Sequence, residues 1–187
     1  MLNRIAYHLS KLFLGLLKPR MIYYKKNFQN KSVVNLRIGN STFIDYPQHL
    51  ILENNVYVGH HNFIEASNGI EIQEGCQITS FVSITSHSSH NTIRLYGSNY
   101  GKLDEQVGYL KGKIFIGRFT FVGPHVTIMP NTTIGEGCIV SAYAYVKGNF
   151  PPFSVISGNP AKIIGNTKDI DEKLLVDYPE LHKTYMQ

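Results

Sequence analysis

The chain has 187 residues, 43% hydrophobic and 17% charged, which predicts one globular domain with a sizeable core and excludes a disordered chain. Its net charge of +5 arises before Asp45, where eight cations meet no acid, whereas residues 45–187 carry ten cations against thirteen acids. A basic arm on an acidic body argues against a nucleic-acid-binding surface, and we expect no nucleic-acid partner. Two cysteines exclude a disulfide scaffold and fit a reducing, cytoplasmic compartment.

The first element is a basic amphipathic arm, residues 1–32. We predict a helix over residues 1–26, because apolar residues recur at three- and four-residue steps and cations surround them. The apolar stripe comprises Leu2, Ile5, Leu9, Leu12, Phe13 and Leu16. The apolar run from Leu12 to Leu17 is too short to span a bilayer. Two roles remain open for the arm: it caps the end of the domain or packs in an oligomer, or it contacts the inner face of an anionic membrane.

A six-residue repeat follows and dominates the chain. Aliphatic residues recur without a miss at Ile116, Val122, Ile128, Ile134, Val140 and Val146. An earlier block keeps the same step with two slips of two residues: Ile38, Ile44, Leu50, then Leu52, Val58, Ile64, Ile70, then Ile72, Ile78 and Ile84. The fifth residue of most hexads is small or apolar, and both Cys76 and Cys138 fall there, as buried hydrophobes. Two inward positions in six predict short flat strands joined by corners, three of which close a triangular coil of eighteen residues.

The repeat is interrupted once and ends near residue 165. A Gly- and Tyr-containing insertion at about residues 88–112 is too long to be a connecting turn. After Pro151 and Pro152 the period stops, and residues 166–187 form a tail in which Asp169 to Tyr185 reads as a polar helix. We therefore assign the repeat domain to residues 33–165.

One histidine stands where the regular coil breaks into the insertion. A coil that contains one slip has twenty residues, so Ile84 stacks on Ile64 and Thr85 on Glu65. This stacking brings a carboxylate within about one strand spacing, ~4.8 Å, of the segment leading to His87. An imidazole with a neighbouring carboxylate is suited to act as general base toward a hydroxyl nucleophile.

The repeat, together with the exit segment that runs from Pro151 through Gly158-Asn159-Pro160-Ala161 to Lys162, resembles the hexapeptide-repeat acyltransferases of the sugar O-acetyltransferase type. The resemblance covers about residues 33–165. It implies an all-β fold, a left-handed parallel β-helix, and a homotrimer with sites between neighbouring subunits. It also implies acetyl-CoA as co-substrate and no metal.

The resemblance assigns roles to specific residues. A histidine that opens the inserted loop takes the acceptor proton, which matches His87, with His90 as the alternative base. The stacking described above places Glu65 to orient His87. Acceptor contacts are expected from Asn62, His90 and Tyr96, although Glu65 rather than Asn62 stands where the family often has asparagine. Pantetheine and nucleotide contacts are expected from a groove of small residues and two cations: Gly123, Pro124, Ser141, Ala142, Lys147 and Lys162.

These assignments predict an O-acetyltransferase that moves acetyl from acetyl-CoA to a hydroxyl of a sugar or polysaccharide precursor. Because Pro124 has no N–H, the oxyanion donor must lie elsewhere, and Gly123 is one candidate. Two other classes stay open: a γ-type carbonic anhydrase-like zinc enzyme, given His60, His61, His87, His90 and His125, and a non-catalytic scaffold. The sequence leaves open the acceptor, the acyl group, and O- against N-transfer.

Overall fold

The computed structural model describes residues 5–7, 9, 15, 18–102 and 106–187. Short strands on three faces form a left-handed parallel β-helix, as the hexad spacing and the family resemblance predict. Face 1 has eight strands: β1 Met21–Lys26, β2 Ser32–Gly39, β5 Tyr57–Val58, β8 Gln77–Ile78, β13 Phe121–Val122, β16 Ile139–Val140, β19 Ser154–Gly158 and β20 Ala161–Asn166.

The other two faces have five strands each, all parallel to their neighbours. Face 2 contains β3 Phe43–Asp45, β6 Phe63–Glu65, β9 Ser83–Thr85, β14 Thr127–Ile128 and β17 Tyr145–Val146. Face 3 contains β4 Leu50–Leu52, β7 Ile70–Ile72, β12 Ile114–Ile116, β15 Thr133–Ile134 and β18 Asn149–Phe150. The chain visits faces 1, 2 and 3 in turn, so every coil has a face 1–face 2 corner and a face 2–face 3 corner.

The pairing register follows the predicted coil lengths. Val122 pairs with Val140, eighteen residues on, and Ile64 pairs with Ile84, twenty residues on. The hexad aliphatics fill the prism: Ile116, Val122, Ile128, Ile134, Val140 and Val146 are all 0% exposed. Each such side chain contributes roughly 1.5–3 kcal/mol when fully buried, so the repeat itself supplies the core.

Both cysteines lie inside this core as expected. The thiol of Cys76 donates to the carbonyl of Gly117 across 3.0 Å. Burial raises the pKa of Cys76 to about 12 and also raises the pKa of Cys138. A thiolate nucleophile is therefore disfavoured at either position.

The insertion leaves the helix at the face 2–face 3 corner. Strand β10, His87–Ser88, pairs antiparallel with β11, Leu110–Lys111, so the loop begins and ends as a two-stranded ribbon. The loop also holds the short helix α1, Thr92–Tyr96, and a 3₁₀ turn, Gly97–Asn99. Ile78 then pairs directly with Val122, which shows that the coil resumes in register after the loop.

The N-terminal arm differs from the sequence prediction. Residues 5–7, 9 and 15 are helical, but Met21–Lys26 forms strand β1, antiparallel to β2, so the helix predicted over residues 1–26 is wrong for its last six residues. Ile22, Tyr23 and Tyr24 have high strand propensity, and β1 covers the otherwise open edge of the first coil. Within the predicted stripe, Leu2, Leu12, Phe13 and Leu16 lie outside the described residues.

The C-terminal end is closed in the same way. Strand β20 folds back antiparallel on β19, followed by α2, Thr167–Asp177, and a 3₁₀ helix, Pro179–Lys183. The polar helix expected from Asp169 to Tyr185 is thus split into two shorter helices. Among the described segments, none is a helix with the length and apolar character needed to cross a bilayer.

Candidate active site

The centre of the candidate site is a His–Glu pair at the face 2–face 3 corner. His87 begins β10, and Glu65 ends β6 one coil away, directly paired with Thr85 as the stacking argument requires. The Nδ1 of His87 lies 2.7 Å from Oε2 of Glu65. The His87 side chain is 35% exposed, whereas that of Glu65 is 4% exposed. The imidazole therefore reaches solvent while its carboxylate partner does not.

The Glu65 carboxylate is held by four donors. Its Oε1 accepts from the Ser67 N–H, and its Oε2 accepts from the N–H and hydroxyl of Ser86 as well as from His87. Burial on its own raises the pKa of Glu65, but the bonds from Ser67 and Ser86 and the charge of His87 outweigh it, so the pKa is lowered. Glu65 is consequently ionised at neutral pH.

This ionised partner fixes the tautomer of His87. A carboxylate only accepts, so Nδ1 must carry the proton, and Nε2 keeps its lone pair. The Ser67 hydroxyl also lies 3.3 Å from Nδ1. The result is an oriented imidazole whose remaining nitrogen can accept a proton.

Tyr109 supports the ring from the inserted loop. Its phenol ring is stacked on His87, with centroids 5.6 Å apart and planes 8° from parallel. Burial raises the pKa of Tyr109, with further contributions from the charges of Tyr100, Glu65 and Tyr46. The sequence indicated only a tyrosine-containing insertion here, because nothing short-range shows that β11 returns to pair with β10.

Each of the three predicted acceptor residues makes a hydrogen bond within the protein. Asn62 is 3% exposed, and its amide oxygen accepts from the Val82 N–H inside the coil, so its expected acceptor contact does not fit this structure. His90 is exposed and bonded through Nδ1 to the Ser88 hydroxyl. The Tyr96 hydroxyl accepts from the N–H of Val107, which ties α1 to the end of the loop.

Five of the predicted cofactor residues lie at the face 1–face 2 corner. Gly123 and Ser141 follow paired residues of β13 and β16, and Ser157, one coil further, pairs with Lys162. A Cβ at Gly123 would lie 2.8 Å from the N atom of Ala142, so only glycine allows the coils to approach this closely. Pro124 and Ala142 are the next residues and are exposed, so a row of small residues follows this corner with Lys162 at one end, and we refer to this row as the groove.

Lys147 is separate from this groove. It directly follows Val146, the last residue of β17, just as Thr85 and Met129 follow the paired residues Ile84 and Ile128. Lys147 therefore lies at the face 2–face 3 corner, the corner where His87 lies. The expectation that Lys147 adds a second charge beside Lys162 within one chain is therefore wrong.

The backbone bonds of the groove identify one free donor. The Gly123 N–H donates to Val140 O across 2.8 Å, so Gly123 cannot serve as the oxyanion donor considered from the sequence. The Pro124 carbonyl is also occupied, since it accepts from the Tyr143 N–H. In the described part of the chain, the Ala142 N–H makes no hydrogen bond. The Ala142 N–H is therefore available to donate a hydrogen bond to a ligand in the groove.

A ladder of rings, missed from the sequence, runs along the same corner. His61, Phe81, His125 and Tyr143 stack in that order, with successive centroids 5.1, 5.0 and 4.8 Å apart. All four residues have a φ near +60°, which recurs once per coil at this corner and superposes their side chains. The four residues are separated by twenty, 44 and eighteen residues in turn, and the insertion accounts for the long middle interval. A search for a fixed period in the sequence therefore does not find the ladder.

The histidines considered as zinc ligands are distributed among these separate features. His61 and His125 belong to the ladder, His87 is bonded to Glu65, and His90 is bonded to Ser88. Across residues 18–102 and 106–187, no three His, Cys, Asp or Glu side chains are grouped so that they could hold a metal ion.

Comparison with known proteins adds to this geometry. Residues 113–148 match the family described as "Bacterial transferase hexapeptide (six repeats)". This segment contains the hexad run from Ile116 to Val146. The chain is 30% identical over 116 residues to a putative lipopolysaccharide biosynthesis O-acetyl transferase of Escherichia coli, covering 62% of this chain and 59% of that one. It is 25% identical over 175 residues to the galactoside O-acetyltransferase of E. coli, covering 83% and 81%.

The fold is also that of solved acyltransferase structures. The chain superposes on an N-acyltransferase from Bacillus cereus, in complex with dTDP and 3-hydroxybutyryl-CoA, with a TM-score of 0.59 at 17% identity, covering 78% of this chain and 89% of that one. The matched segments span 20%, 46% and 59% of the lengths of three curated relatives, all described as acetyltransferases.

Proposed function

We propose that the protein is an acetyl-CoA-dependent O-acetyltransferase that acts on a hydroxyl of a sugar or polysaccharide precursor. The observation that carries the proposal is the 2.7 Å contact between His87 Nδ1 and the ionised Glu65, at the mouth of the inserted loop. Relatives described as galactoside and lipopolysaccharide O-acetyl transferases support the class of reaction.

In the proposed reaction, His87 Nε2 takes the proton of the acceptor hydroxyl as the oxygen attacks the thioester carbonyl of acetyl-CoA. Glu65 stabilises the imidazolium that forms. The C–S bond then breaks, and the coenzyme A thiolate takes the proton from His87. The products are an acetyl ester and coenzyme A, with no covalent acyl-enzyme, which agrees with the raised pKa of both thiols.

The groove at the face 1–face 2 corner fits acetyl-CoA as the second substrate. Small residues at Gly123 and Ala142 leave room for a pantetheine chain, the free Ala142 N–H can donate to an amide carbonyl, and Lys162 can face phosphate. The B. cereus N-acyltransferase of the same fold is described with an acyl-CoA, which supports a ligand of this type.

We further propose that the active unit is a homotrimer. His87 and the groove lie at opposite ends of the face 2 strands, so the four residue-to-residue steps from His125 to Met129 separate the two corners by about 13 Å. Neighbouring subunits that placed one corner against the other would unite the base and the groove in one site.

A thiol-release assay tests the proposal. The full-length protein is incubated with acetyl-CoA and a panel of glycosides, oligosaccharides and nucleotide sugars, and free thiol is followed together with acetyl ester by mass spectrometry. Acceptor-dependent release with ester formation supports the transferase. Coenzyme A binding without transfer to any acceptor would instead favour the non-catalytic scaffold.

A further inference from the structure

A second aromatic pair lies on the same edge as His87. Tyr46, directly after β3, stacks on His49 with centroids 6.2 Å apart and planes 9° from parallel. Tyr46 is held by a left-handed backbone conformation, φ 55°, before a 3₁₀ turn, Pro47–His49. Because Tyr46 is 44% exposed, this pair, which we call the Tyr46 platform, offers an accessible ring face beside the His–Glu pair.

Direct contacts connect the platform to the base. The Nδ1 of His49 lies 3.0 Å from the Ser67 carbonyl oxygen, and the Ser67 hydroxyl lies 3.3 Å from His87 Nδ1. The platform and His87 are therefore parts of one continuous surface.

A carboxylate borders the platform. Asp45 pairs with Glu65 in the β3–β6 ladder, about one strand spacing away. Its Oδ1 accepts from the Tyr46 N–H across 3.0 Å, which orients the side chain. Unlike Glu65, Asp45 makes no ion pair within residues 18–102 and 106–187. It retains acceptor capacity for a ligand and repels an anionic one.

The order of the coils decides which substrate meets this surface. Along the helix axis, the groove residues Gly123 and Ser141 lie one and two coils beyond His87 toward the C-terminus. Asp45 and Tyr46 lie on the opposite side of His87, toward the N-terminus. Acetyl-CoA would approach from the groove side, and the platform is left for the acceptor.

We infer that Asp45, Tyr46 and His49 form the acceptor subsite and that it takes a neutral pyranose ring, an inference that rests on the proposed transferase function. The apolar C–H face of the sugar packs on Tyr46, and a pair of its hydroxyls donates to Asp45. A further hydroxyl is then directed at His87 Nε2. Acidic sugars are disfavoured, because their carboxylate would face Asp45.

The first test measures sugar binding without acetyl-CoA, so its result does not depend on the transfer reaction. Ligand-observed NMR with methyl glucopyranoside, methyl galactopyranoside and methyl glucuronide is recorded for the full chain. We expect saturation transfer to the neutral glycosides and a weaker signal from the glucuronide. Absence of binding by every neutral pyranoside at millimolar concentration would overturn the inference.

Variants then locate the binding. Tyr46→Ala and Asp45→Asn should each weaken neutral glycoside binding about tenfold, and Asp45→Asn should reduce the preference over glucuronide. Tyr46→Phe keeps the ring and should bind as the wild type does. Tyr178→Ala removes a similarly exposed tyrosine at the other end of the molecule and serves as the control. Unchanged binding in both Tyr46→Ala and Asp45→Asn would overturn the inference.

Kinetics separate the subsite from the proposed function. If transfer is observed, the platform variants should raise the acceptor KM about tenfold and leave the acetyl-CoA KM unchanged. A rise in the acetyl-CoA KM alone would show that the platform contacts acetyl-CoA and not the acceptor, which would contradict the inference. If no acceptor is acetylated, the proposed function fails, while the NMR result still decides whether the platform binds sugars.

Discussion

The imidazole of His87 is held between two side chains, since Tyr109 stacks on its face at a centroid distance of 5.6 Å while Glu65 accepts from its Nδ1 at 2.7 Å. Glu65 comes from the coil below and Tyr109 from the far end of the inserted loop. The orientation of the proposed base therefore depends on both the β-helix and the loop.

We predict that Tyr109 positions the base through its ring. Tyr109→Ala should lower kcat about tenfold because a loosened imidazole loses its aligned geometry, and Tyr109→Phe should stay near the wild type. Steady-state thiol-release kinetics over a pH range check this. An equal loss in both variants would show that the hydroxyl, and not the ring, is required.

The lowered pKa of Glu65 predicts a pH-dependent contribution to stability. An acid whose native pKa lies below its ordinary value of 4.5 stabilises the fold above that pH and loses this contribution as the pH falls through the native pKa. The free energy of unfolding of Glu65→Gln should therefore be lower than that of the wild type at neutral pH, and the difference should shrink below about pH 4.5. Urea titrations at fixed protein concentration measure it. A constant difference from pH 7 to pH 3 would contradict the assigned ionisation.

The ring ladder should contribute to stability at the face 1–face 2 corner. Phe81 makes two stacking contacts, to His61 and His125, whereas Phe43 makes one, to Phe63. At about 0.5–1.5 kcal/mol for each aromatic pair, Phe81→Ala should cost about 1–3 kcal/mol and Phe43→Ala about half of that. Both phenylalanines are about half exposed, so Phe43→Ala is a matched control. Equal losses in urea unfolding would show that stacking is not the cause.

Two truncations separate the roles considered for the N-terminal arm. Deletion of residues 1–20 keeps β1 and should leave a folded protein in solution, whereas deletion of residues 1–26 exposes the edge of β2 and should cause aggregation. Sedimentation with anionic vesicles tests membrane docking in the same samples. A soluble 1–26 deletion that has lost vesicle binding would assign the arm to the membrane and not to the cap.

Lys162 should contribute to coenzyme A binding through phosphate. Its pairing with Ser157 places it at the end of the groove, where an exposed cation is screened over about 8 Å at physiological ionic strength. We expect Lys162→Ala to weaken coenzyme A more than dephospho-coenzyme A, and the difference to fade at high salt. Isothermal titration with both ligands measures this, and equal losses would show that Lys162 does not contact the 3′-phosphate.

Much of the fold follows from the hexad alone. Ile64 and Ile84 could be paired by counting residues, because a parallel coil has a fixed length and every inward aliphatic marks its register. The same counting placed Glu65 beside the segment that leads to His87. Local spacing failed where long-range pairing decides the structure: at β1, which folds back on β2, and at Tyr109, which returns with β11.

The sequence predicted the central His87–Glu65 pair of the candidate site but not the arrangement of the residues around it. The His87–Glu65 contact follows from stacking. The hydrogen bonds of the Gly123 N–H and the Pro124 carbonyl depend on how the backbone turns at each corner, and the repeat does not specify the direction of these groups. By contrast, the burial of Asn62 follows from the repeat, because Asn62 occupies the inward fifth position of its hexad. The Tyr46 platform depends on one left-handed residue, which has no signature in the hydrophobic pattern.

The most direct test of the account compares His87→Ala with His90→Ala in acceptor-dependent thiol release. Loss of the general base should lower kcat of His87→Ala by about 10²–10⁴-fold while coenzyme A binding and the folded state persist, and His90→Ala should stay near the wild type. Near-wild-type turnover in His87→Ala, together with an inactive His90→Ala, would contradict the assignment of His87 as the base.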